Sequence, residues 1–288
     1  MSVALSSKIE VIPSGGACGA ELQGVDASRP LTPEAKNAIK QALFAHGVVC
    51  LRNQKITDEQ LVAFGRAFSD LHAYPVTEYE KPKGLPPEVE LISNILVDGK
   101  PIGALGSGEA TWHSDMSMFD IPASFTYLYA EKVPPVGGNT RFANLYAAYD
   151  ALPDDLKQKI EGRKSIHDIA YIADGRLRPP YKHVTDKSKG PGAQHPIVRT
   201  HPESGRKALY LGRKGYGYIF GYPVPESDVL LDTLWDHMVS PQFVWEHEWQ
   251  VGDILIWDNR GVAHARGTLD PTLPRLMRRI VGMGERPI

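Results

Sequence analysis

The chain has 288 residues, 42% of them hydrophobic and 23% charged, which is an ordinary globular composition long enough to bury a large core without disulfide staples. Its two cysteines, Cys18 and Cys50, fit neither a disulfide nor a metal-ligand spacing, so a reducing cytoplasm is the expected compartment. A net charge of −2 without a long Lys/Arg run excludes a nucleic-acid footprint, the opening MSVALSSKIEVIPSGG lacks the pattern of a signal peptide, and no apolar run approaches the ~20 residues of a membrane span.

Residues 8–26 read as two short strands around a Gly-rich turn. A helix is expected over 33–46, where Pro33 suits the first turn and Ala35, Ile39, Leu43 and Phe44 keep helical spacing, and Gly47 stops it. GVVCLR then reads as a buried strand, and Thr57 caps a second helix running to Phe68. ELISNILV (90–97) is a strand ending at an Asp98-Gly99 turn, residues 99–112 are Gly-rich, and 124–130 is another strand. Pro153 splits a helical pair at 144–161. The polar segment 172–195 shows no sustained period, and a loop of that length reads as a lid over a site or a disordered excursion. Strands at 196–200 and 207–211, a helix at 226–239 and strands at 242–248, 253–257 and 275–282 complete the chain. Many short strands with few helices predict one mainly β domain over 1–288, a sandwich or barrel with helices packed outside.

The segment TWHSDMSM carries a His-x-Asp. If it runs extended, His113 and Asp115 point to one side, and with one distant His they make the facial triad that non-haem iron uses while keeping positions open. A lone His-x-Asp arises readily by chance, and His201-Pro202-Glu203 is a decoy in a turn-like HPESGRK. The second element, VGDILIWDNRGVAH, adds an apolar strand, a polar cluster and then His264. Arg275 and Arg279 follow eleven and fifteen residues later, and arginines four apart on a strand share a face suited to gripping anions.

These motifs resemble the taurine dioxygenase/2,4-dichlorophenoxyacetate dioxygenase (TauD/TfdA) family. The likeness runs from GAELQGVD and FGRAFSDLHAYP through ISNILVDGK, WHSD, PPVGGNTRF, AAYDALP and VRTHPESGRKAL to WDNRGVAH, and it looks closer to the phenoxyalkanoate branch than to the taurine branch. It implies a double-stranded β-helix (jelly-roll) core with flanking helices and a dimer or tetramer. It further implies an Fe(II)- and 2-oxoglutarate-dependent dioxygenase that decarboxylates its cosubstrate to succinate and CO2 while hydroxylating a small organic anion with O2. By the same resemblance His113, Asp115 and His264 would bind iron. Thr140 and Arg275 would hold 2-oxoglutarate, and Arg279 would read the anionic end of the substrate. WDNR would be a scaffold.

Where the taurine branch carries a substrate-contacting His, this chain has Tyr74, which could bond an anion or line an aromatic pocket. An aryloxyalkanoate-like carboxylate is therefore the first expected substrate and an alkyl sulfonate or sulfate ester the second. Trp112, Met116, Met118 and Phe119 flank the metal motif as wall candidates, Lys100 is a possible second cation, and Arg278 is expected to face solvent. The rival readings are a non-catalytic 2-oxoglutarate or anion sensor on the same barrel, and a zinc hydrolase.

Overall fold

The computed structural model describes residues 9–74, 79–106, 110–172 and 175–288. Two sheets face each other. The larger has eight strands in the order Glu10–Pro13, Ala20–Gln23, Val48–Leu51, Ile254–Asp258, Ala123–Lys132, Leu276–Met283, Glu90–Ser93 and Ala104–Leu105. The smaller has four: Val244–His247, Thr140–Asn144, Val262–Arg266 and Ala110–His113. Sequence-distant strands are neighbours in both, as in a double-stranded β-helix.

Strict alternation explains the layering, because successive side chains of a strand point to opposite faces. Val48, Cys50, Leu128, Ala130, Leu255, Trp257 and Met277 face the smaller sheet and meet Phe142 and Val262 there. The intervening Val49, Leu51, Tyr127, Ile254, Ile256 and Ile280 face outward under the helices Pro33–His46 and Asp58–Arg66. Both helices start at a side-chain cap, the second at the Thr57 expected from the sequence. Thr32 accepts from the Ala35 amide, and Thr57 with Gln60 closes a reciprocal capping box. A third core joins the helices Leu145–Asp150 and Val224–Met238 to the outer face of the smaller sheet through Ala263.

Several elements depart from the sequence expectations. ELISNILV is two strands, Glu90–Ser93 and Leu96–Val97, and the second pairs with Lys100–Pro101 across a turn in which Asp98 (φ 50°) and Gly99 (φ 74°) are both left-handed. Segment 172–195 is partly regular, since Gly192–Pro196 pairs antiparallel with Lys164–Asp168, itself paired to Gly217–Ile219. Neither KSIHD nor GYI carries a clean apolar alternation, so those two strands give no sequence signal. Arg278 does face away from Arg279, but it is half-buried in ion pairs with Asp58 and Glu131 rather than left to solvent. Among the described residues, no helix is long and apolar enough to cross a membrane.

The WDNR turn stabilises this architecture. Asp258 receives Arg260 Nε and Nη2 at 2.7 and 2.9 Å, and His201 Nε2 lies 3.0 Å from its second oxygen, all three side chains being buried. The decoy His201 is thus a structural ligand of Asp258, and its Nδ1 accepts from the amides of Glu203 and Ser204. Burial opposes ionisation of Asp258, but Arg260 and His201 outweigh it and push its pKa down. A depressed carboxylate stabilises the fold fully above its unfolded pKa of ~3.9, and that contribution is lost as pH falls further toward its folded value. Asp258→Asn should therefore cost about 3 kcal/mol at neutral pH, the low end for breaking a buried pair because Glu203 and Glu285 also flank Arg260. Urea unfolding at pH 7 and at steps below pH 4 checks both the loss and the flatter acid limb of the variant.

Candidate active site

His113 and His264 are directly opposed on neighbouring strands, Ala110–His113 and Val262–Arg266, and their rings lie 4.3 Å apart. Asp115 completes the set. Its Oδ1 is 3.8 Å from His113 Nε2 and its Oδ2 is 3.8 Å from His264 Nε2, and three ligand atoms, one from each residue, lie within 4.8 Å of one another. The strand stops at His113 and the chain turns, with Met116 left-handed (φ 54°) and the Ser117 amide bonded to the Ser114 carbonyl. The Asp115 amide donates to Asn259 Oδ1 at 3.0 Å, and Ser114 Oγ donates to the Val262 carbonyl, so the turn is fastened to the strand that carries His264.

The electrostatics suit a divalent metal. Burial lowers the pKa of both imidazoles, and His264 lowers that of His113 further, keeping lone pairs available. His113 Nδ1 sits 2.7 Å from the Thr111 carbonyl, which fixes the proton there and turns Nε2 into the site. Burial works against the Asp115 charge, but His264, Arg279, His113 and the Thr126 hydroxyl together hold its pKa down at about 2. Two imidazoles and a carboxylate, closely grouped and leaving one side open, match the donor set of a facial triad.

Thr126, on the strand Ala123–Lys132, donates to Asp115 Oδ2 at 2.8 Å and accepts from Asn259 Nδ2 at 2.9 Å. Trp257 Nε1 in turn donates to Asn259 Oδ1. This chain orients the carboxylate, and no motif spacing announces Thr126. Thr126→Val keeps the volume and removes the bond, so iron affinity should fall about 10- to 100-fold, as for other partners behind metal ligands, and an Fe(II) competition titration measures it.

A small cavity of about 50 Å³ runs inward beside the triad, bordered by Thr140, His264, Arg266 and Arg275 among others. Arg275 is 2% exposed, its Nε has no hydrogen-bond partner, and it forms no ion pair among the described residues. Burial, then the neighbouring Arg266, pushes its pKa down, the mark of a cation shielded from water without a counter-charge. Gly137 (φ 80°) and Gly138 (φ 70°) are both left-handed, which accounts for the paired glycines ahead of Thr140, and Gly138 lies against the Arg275 stem. Trp249 Nε1 donates to Thr140 Oγ1 at 3.0 Å, so the hydroxyl proton of Thr140 is left to donate elsewhere. A dicarboxylate fits this arrangement, one end toward the triad and the other on Arg275.

Arg275 precedes the strand Leu276–Met283 rather than sitting within it, and a bulge follows at Leu276/Met277. Its backbone is held by Asn94 and Ser93. Arg279 lies inside the strand and borders both cavities. Its Nε donates to Glu90 Oε2 at 3.0 Å and its Nη1 to Asp115 Oδ1 at 3.2 Å.

The second cavity, about 270 Å³, opens on the other side of the triad. Tyr74, Met116, Met118 and Phe119 line it, together with Ile172 and Arg178 from the long polar segment. Trp112 packs instead beneath Arg141, and Lys100 is exposed in its hairpin away from this cavity. Sequence reasoning missed Glu90, His72 and Arg213, which also line it. A second group of donors, Cys50, His247 and Asp253, is closed by Arg52, whose Nη1 donates to Asp253 at 2.6 Å, and it is a buried ion-pair network.

The family model described as taurine catabolism dioxygenase TauD, TfdA family matches residues 10–281. The chain is 34% identical over 265 residues to the alpha-ketoglutarate-dependent 2,4-dichlorophenoxyacetate dioxygenase of Burkholderia sp. strain RASC, covering 89% of this chain and 88% of that one. It is 30% identical over 289 residues to the alpha-ketoglutarate-dependent sulfate ester dioxygenase of Pseudomonas putida, covering 98% and 91%. Among solved structures, AAD-2 in complex with Mn(II) and N-oxalylglycine matches with a TM-score of 0.81 at 34% identity, over 98% of each chain. The chain therefore belongs to the TauD/TfdA family and is an Fe(II)- and 2-oxoglutarate-dependent dioxygenase.

Proposed function

We infer that this enzyme hydroxylates a small organic anion, an aryloxyalkanoate-like carboxylate first and an alkyl sulfonate or sulfate ester second. His113, Asp115 and His264 hold the iron, Thr140 and Arg275 hold 2-oxoglutarate, and Tyr74 and Arg279 border the substrate. The observation that carries the reading is the buried guanidinium of Arg275, without a counter-ion among the described residues, in a small cavity reaching the triad. Relatives named for 2,4-dichlorophenoxyacetate and for sulfate esters support the two substrate classes.

When bound, iron and 2-oxoglutarate supply oxygen activation, coupled to loss of CO2 and formation of succinate. The protein supplies position and charge. The Thr111 carbonyl holds the His113 tautomer, and Thr126 and Asn259 hold Asp115. Thr140 would hydrogen-bond the cosubstrate, and Arg275 would neutralise its distal carboxylate in a place that excludes water. Met116, Met118 and Phe119 give an apolar seat for the substrate body beside the open face of the triad.

The segment 172–195 acts as a lid on one dioxygenase domain spanning 1–288, a reading supported by Ile172 and Arg178 lining the larger cavity, while residues 173 and 174 of that segment lie outside the described residues. The enzyme works in the cytoplasm without nucleic acid or membrane, which the two buried free cysteines support. It assembles as a homodimer or homotetramer, for which exposed Leu96 and Val97 offer apolar contact.

Oxygen uptake and succinate formation by iron-loaded protein, screened with phenoxyalkanoates, sulfonates, sulfate esters and simple carboxylates, test the substrate class. Coupled turnover of one class supports it. Oxygen uptake above the uncoupled background with none of these anions, but with their neutral amides or esters, would contradict it.

A further inference from the structure

Accepting that the larger cavity takes a small organic anion, we propose that the anionic end docks on Arg213, with Arg178 beside it. Three cations line this cavity, Arg178, Arg213 and Arg279, and they differ in how far their charge is already answered. Arg279 is saturated. Glu90 takes its Nε and Nη2, Asp115 takes its Nη1, and both acids are buried. A second carboxylate brought to Arg279 would meet the Glu90 carboxylate already in place, and like charges at such range repel.

Arg213 is in the opposite condition. It is 9% exposed and its Nε has no hydrogen-bond partner. Its Nη1 donates only to a neutral group, the Tyr171 carbonyl. No carboxylate forms an ion pair with it among the described residues. Burial, then Arg178, pushes its pKa down, with Asp168 and Asp115 opposing more weakly, so the two guanidiniums repel each other across the cavity wall and an anion between them would relieve both. Arg178 donates through Nε to the Ile169 carbonyl and likewise forms no ion pair among the described residues.

The placement is built rather than accidental. The Lys214 amide donates to the Trp112 carbonyl at 3.1 Å, which fixes the turn carrying Arg213 to the strand that ends in His113. Tyr171, whose carbonyl holds Arg213, stacks on Tyr216 of the same turn at 4.4 Å. With Met116, Met118 and Phe119 lining the same cavity, a ligand carries its charge on Arg213 and Arg178 and its apolar body toward the triad. Glu90 and Arg279 then act as positioning residues for Asp115, and the specificity for an anion resides on the Arg213 turn.

The test compares wild-type, Arg213→Gln, Arg213→Lys and Arg279→Gln proteins with matched ligands, a phenoxyacetate and its neutral amide, by calorimetric titration of the anaerobic Fe(II)- and 2-oxoglutarate-loaded enzyme and by succinate formation. The acid should bind about 10- to 100-fold more weakly to Arg213→Gln while the amide is little affected, so the acid-over-amide preference collapses, and Arg213→Lys should recover part of it. A preference retained by Arg213→Gln and lost by Arg279→Gln would overturn the proposal while leaving the substrate class intact. Failure of the wild-type enzyme to prefer any acid over its amide would overturn both together.

Discussion

Replacing Asp115 by alanine should weaken Fe(II) binding by more than ~100-fold and leave no measurable metal-dependent succinate formation. Loss of a partner behind a ligand already costs 10- to 100-fold, and loss of the ligand itself exceeds that. The geometry makes the effect larger than for either imidazole alone. Asp115 is the only anionic donor of the three, and Thr126, Asn259 and Arg279 converge on it. The same substitution should leave the fold intact, because Arg279 keeps Glu90 as its counter-ion and the Asp115 turn remains pinned through Ser114 and Val262. Thermal unfolding without metal separates the two effects, the variant holding close to the wild-type midpoint while its iron titration fails. Full turnover in Asp115→Ala would remove the triad from the chemistry.

The second large effect concerns Arg275. Arg275→Gln leaves the distal carboxylate of 2-oxoglutarate buried and unpaired, at a cost of about 3–4 kcal/mol, so the KM for 2-oxoglutarate should rise ~10²- to 10³-fold. Stability should move the other way in the cosubstrate-free protein, because Arg275 is shielded from water without a carboxylate among the described residues, and Gln removes that uncompensated charge. A ligand that binds only the folded state stabilises it by about 2.7 kcal/mol at a hundred times its Kd. Wild-type protein with Mn(II) should therefore show a clear 2-oxoglutarate-dependent rise in unfolding midpoint, which the variant loses at the same concentration. An equal rise in both would place the cosubstrate elsewhere.

The sequence carried much of this in particular residues. Helix Pro33–His46 was legible because Pro33, its apolar spacing and Gly47 agree, and the central strands were legible because both their faces are apolar. His113, Asp115 and His264 were legible through motif order, and the structure does bring His113 and Asp115 to one side, just before the chain turns at a left-handed Met116. What stayed hidden depends on contacts between distant segments. Glu90 reads as an ordinary strand residue until the strand Leu276–Met283 sets Arg279 against it. Arg213 lies 100 residues from His113 in a glycine-rich turn, and the Lys214-to-Trp112 hydrogen bond joins the two segments. Thr126 looks like one more β-branched strand residue until Asp115 arrives. Lys164–Asp168 and Gly217–Ile219 stay hidden because their side chains alternate too weakly to give a period-two signal.

The most direct test of the centre itself is an anaerobic titration of 2-oxoglutarate into Fe(II)-loaded protein, followed by the visible charge-transfer absorption of the complex. One equivalent should saturate the wild-type signal, Asp115→Ala should give none, and Arg275→Gln should require ~10²- to 10³-fold more cosubstrate to reach it. A signal of unchanged affinity in Arg275→Gln, or of unchanged size in Asp115→Ala, would contradict the assignment of iron to the triad and of 2-oxoglutarate to the cavity beside it.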